Sequence, residues 1–392
     1  LSDGVRMDDV RMDDVRAERH ARWERPFPVR YLIVGEDQDD GRELLLGRCA
    51  AAEGLFTDPP PPPREVLVMR GCAPGVVAGW IGPARVEGRT GSGRNHWWEL
   101  LDAEVLAVGP HAADPALVDV VLGAAFGEVE VFRPAQHPCE RFELTTGRPI
   151  GEPLAVCAEV TGLPVERDQP QQLPVRLIGC EPTGPLRARL AAGHRNWPTY
   201  TRLWALDDHG RVLDRVPTGL FAERVGPSVL GGGLLDVLLS VSPEQLPGSA
   251  ARGVWWSWQA GPPRRPGSWR GLSTAAKGAW QSLALHLRGP GPDRSGGEYH
   301  LDGRGVEDAT GLHCAIGEAV NGPGGYYGQE WNGLRDCLGG GFGVVPPFTL
   351  VWHDFAATER ELAEETDPAT GLRLPEDVAR MLEQRGVTVI RA

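Results

Sequence analysis

The side chains best placed for chemistry lie near the end of the chain, between Gly322 and Leu338. Asp336 supplies a carboxylate and Asn332 and Gln329 supply amides, at steps of four and three that put them on one side of a helix. Tyr326 and Tyr327 stand just before them, followed by Gly328. A carboxylate shown to solvent beside amides and phenols is equipped for recognition by hydrogen bonds and charge. Its natural counterpart is a basic surface, because a charge-assisted bond to Arg or Lys is the strongest that a carboxylate makes.

Two local elements must hold this set. Gly322-Pro-Gly-Gly-Tyr-Tyr-Gly328 is turn chemistry, in which Pro323 fixes φ and the glycines permit angles that other residues resist. Trp331, Leu334, Cys337 and Leu338 then recur at helical spacing and predict a short helix with one apolar face. The loop therefore delivers two tyrosines, and the helix turns one carboxylate outward.

Tyr-Tyr-Gly, three variable residues, an Asx-type position and Leu-x-Asp-Cys-Leu resembles the barstar family, intracellular inhibitors of secreted bacterial ribonucleases. Tyr299–Gly303, Phe348–Trp352 and Val387–Ile390 resemble that family's three strands, so the resemblance spans about residues 298–391. It implies a small parallel sheet flanked by helices. It also implies blockade of a nuclease's basic cleft by an acidic helix and its preceding loop, with Asp336 where a substrate phosphate would sit and Tyr326 against a catalytic imidazole. Gly328 would keep the loop close to the partner, and Trp331, Leu334 and Leu338 would anchor the helix. The partner-binding set is thus Tyr326, Tyr327, Gly328, Asn332, Arg335 and Asp336. Two positions depart from the family: Asn332 replaces an aspartate, and Arg335 puts a positive charge at the centre of the acidic face, partly offset by Glu330.

The wider composition agrees with such a partner. The chain has 392 residues and a net charge of −13. Residues 298–392 carry 16 Asp and Glu against 7 Arg, most of that excess. An acidic region repels phosphates, which excludes direct nucleic-acid binding there, and it steers a basic partner inward. No apolar run is long enough to cross a membrane. The charged start is unlike a secretory signal, and the seven cysteines are odd in number and widely spaced. They read as reduced thiols of a cytoplasmic protein. Abundant Ala, Gly and Pro, with Lys277 alone against 39 arginines, point to a bacterial genome rich in GC.

Read in order, residues 1–27 contain the repeat Val-Arg-Met-Asp-Asp at 5–9 and 10–14 and predict a disordered or frayed segment. Residues 28–172 and 173–288 read as two β-rich α+β units. Arg30–Leu44 is echoed by Thr201–Leu213, Gly54-Leu-Phe56 by Gly219-Leu-Phe221 and Val66–Val68 by Val237–Leu239, which suggests an internal duplication. The first hairpin would turn at 37–41. Asn95–Leu106 permits a strand pair or a helix, and Pro115–Leu122 has a helix-compatible apolar run. Trp255, Trp256 and Trp258 suggest a β-sheet core with one aromatic at its edge. Residues 289–297 read as a linker before a final domain at 298–392.

The overall fold class expected is α/β, with the three-stranded parallel sheet preceded by a larger β-rich region. No enzyme motif, cofactor fingerprint or zinc spacing is present, His137, Cys139, Cys157 and Cys180 included. The function expected is an inhibitor or immunity protein for a basic bacterial ribonuclease or toxin nuclease domain. The alternatives are the same fold recruited for a partner other than a nuclease, favoured by Asn332 and Arg335, and an enzyme in 28–288 that the last domain regulates.

Overall fold

Tyr31–Glu36 (β1) and Glu43–Glu53 (β2) place aliphatic side chains on one face and pair as an antiparallel hairpin. They open a computed structural model that describes residues 20–36, 43–129, 138–146, 153–164, 172–289, 291–363 and 373–392. The repeat at 5–14 and the turn at 37–41 lie outside the described residues. Residues 20–27 are packed and not frayed: Trp23 donates to the Phe27 carbonyl at 2.7 Å, and Ala21 and Trp23 pack against the buried cluster that includes Leu32 and Trp204. The chain divides into two units, Leu1–Pro59 with Gln171–Ala392, and Pro60–Pro170.

The unit Pro60–Pro170 is a single antiparallel sheet. It contains β3 (Arg64–Cys72), β4 (Gly79–Thr90), β5 (Asn95–Pro110), β6 (Val118–Val129), β7 (Cys139–Thr146), β8 (Ala155–Cys157) and β9 (Glu159–Thr161). The strand order is β8-β7-β4-β5-β6-β3-β9. Asn95–Leu106 belongs to one long strand because His96, Trp98 and Leu100 alternate inward with outward Trp97, Glu99 and Leu101. The run at 115–122 enters β6 and not a helix. Its valines are bonded to strands on both sides and pack with Leu67, Met69 and Val105.

The larger unit resumes with β10 (Leu173–Pro182), which pairs back on β2. A short helix, α1 (Gly184–Ala191), leads to β11 (Asn196–Leu206), β12 (Val212–Pro227) and β13 (Leu235–Val241). Together they close a six-stranded barrel of order β1-β11-β12-β13-β10-β2. It consists of two three-stranded meanders, β1-β2-β10 and β11-β12-β13. The third strand of the first is β10; Val66–Val68, the strand that the repeat in the sequence points to, belongs to the other unit. A division at 172/173 therefore cuts across the barrel, leaving β1 and β2 on one side and their partners β10 and β11 on the other.

After the barrel come α2 (Ala251–Trp258) and α3 (Thr274–His286). The tryptophan cluster is helical: Trp255 and Trp258 are buried, and Trp256 points out. Of the expected linker, residues 293–295 are also bound in. The Asp293 carboxylate accepts from the backbone N–H groups of Gly341 (2.6 Å) and Gly343 (2.8 Å), and β14 (Arg294–Ser295) pairs with residues 344–345.

The last region is α/β. It runs β15 (Glu298–Asp302), α4 (Ala309–Asn321), α5 (Trp331–Cys337), β16 (Val344–Val345), β17 (Phe348–His353), α6 (Phe355–Glu361), α7 (Leu374–Gln384) and β18 (Val387–Arg391). β15, β17 and β18 form a parallel sheet in that order. Near-continuous apolar strands with helices between them produce this arrangement, since a parallel sheet must be covered on its faces. The apolar core runs without a break from the barrel interior through Trp258, Trp269 and Trp280 to Leu312, Ile316 and Trp352.

Candidate partner-binding site

The segment 322–337 is held from behind by α4. Gly317 lets α4 approach the loop: a Cβ there would lie 2.4 Å from the Gly325 carbonyl oxygen. Asn321 ends the helix and donates to the carbonyls of Tyr326 (2.8 Å) and Phe342 (3.0 Å). His313, buried on the same helix, is hydrogen-bonded to the Gly328 backbone, and burial lowers its pKa from 6.5 to about 4. It is thus a neutral imidazole at neutral pH, fixed under the loop.

The expected binding residues separate into two groups. Asn332, Arg335 and Asp336 are exposed along the outer side of α5, while Leu334 and Cys337 are buried on the inner side. Tyr327 is 0% exposed, and its hydroxyl donates to the Val344 carbonyl at 2.8 Å. It is a core residue, and no partner can reach it without unfolding the loop. Gly328 is buried with φ +87°, and a Cβ there would lie 2.4 Å from the N and Cα of Leu334. Its small size serves the close approach of the loop to α5. Tyr326 is 6% exposed, with its ring 5.9 Å from that of Phe342 and its hydroxyl bonded to the Gln329 backbone. Burial raises its pKa.

Gln329, which helical spacing places on that side, and Glu330, expected only as an offset to Arg335, complete the exposed face. Glu330 caps α5: its carboxylate accepts from the N–H groups of Asn332 (2.9 Å) and Gly333 (2.7 Å). A negative charge suits a helix start, though Ser, Thr, Asp and Asn are the usual caps, so sequence gave little signal for it. His313 carried none, since helical spacing assigns the inward positions of α4 to its aliphatic residues. The face therefore offers two carboxylates, two amides and one guanidinium. Among the described residues no cluster of His, Cys, Asp or Glu is arranged to hold a metal ion.

Residues 298–390 match the model of the family described as Barstar (barnase inhibitor). This part of the chain is a barstar-family region. The match covers under half of the 392 residues and leaves the barrel and the unit Pro60–Pro170 outside it. No curated protein and no solved structure matches the chain. The strands that carry the family resemblance are β15, β17 and β18, and its loop and helix are 322–330 and α5. No helix among the described residues is long and apolar enough to cross a membrane.

Proposed function

We propose that the barstar region binds a cognate bacterial ribonuclease, the cell's own secreted enzyme or a toxin nuclease domain, and covers its active site. The observation that carries this reading is the outward presentation of Asp336 on a braced helix within a region matching a family of ribonuclease inhibitors. Asp336 takes the place of a substrate phosphate among the nuclease's basic groups. Asn332 and Gln329 add neutral hydrogen bonds, and Glu330 adds charge at the helix start. Arg335 selects for a partner with an acidic or carbonyl-lined rim opposite it. Tyr326 shapes the loop and meets a partner only along its exposed edge, whereas Tyr327 and Gly328 act by holding the loop.

On this reading the whole chain is a binding protein and not an enzyme. It acts in the cytoplasm, with the barrel and the inserted sheet as accessory modules. The test is inhibition of a panel of small secreted bacterial ribonucleases by the full chain and by its Asp336→Ala variant. The variant is expected to bind about a hundredfold more weakly, close to 3 kcal/mol. Equal inhibition by both proteins would remove Asp336 from the interface. A folded chain that binds none of the enzymes would favour the second reading, a barstar fold recruited for a partner that is not a nuclease. The exposed Arg335 in the middle of the face is the observation on that side.

A further inference from the structure

Four of the seven cysteines meet in two pairs. On the antiparallel strands β2 and β10, Cys49 stands directly opposite Cys180. Both side chains point into the barrel core, and the two sulfurs lie 2.7 Å apart. In the other unit β3 pairs with β9 so that Arg70 faces Glu159, Met69 faces Val160 and Val68 faces Thr161. Cys72 lies two residues beyond this pairing on β3 and Cys157 lies two residues before it on β8, and these two thiols hydrogen-bond each other. Both are buried.

The two pairs are nested in the chain. Cys49 and Cys180 lie on the strands that leave and re-enter the barrel around Pro60–Pro170. Cys72 and Cys157 lie on the first strand of that unit and on β8, near its end. Cys49 and Cys180, opposed across an antiparallel pair, have the Cα spacing of about 4.5–5.5 Å that falls inside the span of about 4.4–6.8 Å a disulfide bridges, and the thiol–thiol hydrogen bond brings Cys72 and Cys157 within reach of each other. Cys139, Cys314 and Cys337 have no such arrangement: Cys139 is half-exposed, Cys314 accepts from Gln281, and Cys337 is buried on the inner side of α5.

We propose that Cys49–Cys180 and Cys72–Cys157 are two disulfide-forming pairs that lock the inserted unit at both of its chain crossings. The oxidant is a small disulfide such as glutathione disulfide. One protein thiolate attacks it and releases one glutathione thiolate. The second protein thiolate then attacks the protein sulfur of the mixed disulfide and releases the other. Two protein thiols are oxidised by two electrons, the small disulfide is reduced, and the two protons pass to the released thiolates. Burial pushes the Cys180 thiol well up and so keeps it unreactive in the folded barrel. Closure therefore belongs to folding or to transient opening. In a reducing compartment the pairs remain thiols.

The full chain, refolded from denaturant in a mixture of glutathione and its disulfide, alkylated and digested without reduction, tests this. The expected products are linked peptides 49–180 and 72–157, with Cys139, Cys314 and Cys337 alkylated. Alkylation of all four paired cysteines, or linkages joining any of them to the other three, would overturn the proposal. The oxidised chain is expected to melt above the reduced one, because cross-linking residues 131 apart in sequence restricts the unfolded chain. That difference should shrink in Cys180→Ala and in Cys157→Ala. An oxidised chain with both bonds mapped but no rise in melting temperature would show that they lock nothing.

Discussion

Gly328 and His313 set the shape of the loop that carries the exposed face. Gly328 combines a positive φ with backbone atoms of Leu334 where a Cβ would stand, and backbone cannot give way as the end of a side chain can. Gly328→Ala should cost on the order of 2 kcal/mol or more in urea unfolding, and should weaken the ribonuclease binding proposed above alongside. Stability equal to wild type would mean that the loop has another place to go. His313 gives a pH dependence whose sign follows from its lowered pKa. Between pH 6.5 and about 4 the unfolded chain takes up a proton that the buried imidazole refuses, so the unfolded state gains as pH falls. The stability is complete above pH 6.5, is lost progressively down to about 4 and amounts to about 3 kcal/mol. His313→Gln should flatten the profile in that window; parallel profiles for the two proteins would assign the dependence elsewhere. Glu318, whose carboxyl burial raises, works in the opposite sense, and comparison of the two proteins cancels it. At this scale sequence identified Asp336, Asn332 and Arg335 as outward residues, because helical spacing alone decides that. It could not sort the tyrosines: a phenol suits an interface or a core equally well, and only the Val344 carbonyl within reach of Tyr327 settles its place.

Elements of the last region were legible because each carries its own signals. Pro375 near the start of α7, two acids in its first turn and Gly386 after it mark both ends, and three apolar runs mark the strands. How α4 is held was not legible, because its partners lie in α3 and in the segment before it. Asp308 caps α4, accepting from the Gly311 N–H, and also receives Thr274 Oγ1 (2.7 Å) and Lys277 Nζ (3.1 Å) from α3. Burial by itself would raise this carboxyl, but those three hydrogen bonds carry it below its ordinary value. Further along α4, Glu318 accepts from the Gly267 N–H (2.8 Å) and Trp269 Nε1 (3.0 Å). Lys277 is 1% exposed, so removing its partner leaves an uncompensated buried charge. Asp308→Ala should therefore cost about 3–5 kcal/mol, whereas Lys277→Met, which removes the charge and keeps the volume, should cost much less. Chemical unfolding of both and of the double variant checks this. A double variant no more stable than Asp308→Ala would show that the loss comes from the cap and not from the stranded lysine.

For the whole molecule, the β-rich character of the first two thirds was legible and its closure was not. Strand periodicity says that a segment has an inner and an outer face, but barrel partners are chosen across long stretches of chain. β2 bonds to β10 beyond the whole inserted sheet, which is why the repeat in the sequence took its third strand from Val66–Val68. The same pairing argues that the insertion is removable. Glu53 faces Arg176 across β2 and β10, so the chain leaves and returns at adjacent points on the barrel. The core of Pro60–Pro170 is formed from its own strands. The exposed face of α5 and everything that braces it lie in the other unit. Replacing residues 60–170 by a short Gly-Ser connection should leave a chain that folds cooperatively and retains whatever ribonuclease inhibition the full protein has. The segment to preserve is Leu55–Asp58, since Phe56 packs edge-on against Trp255 and Asp58 accepts from the Ser249 N–H (2.8 Å). Circular dichroism melting with an inhibition assay on the shortened chain decides the matter. Lost cooperativity would mean that the barrel depends on the insertion to close, and intact folding with lost inhibition would move part of the partner surface into the inserted sheet.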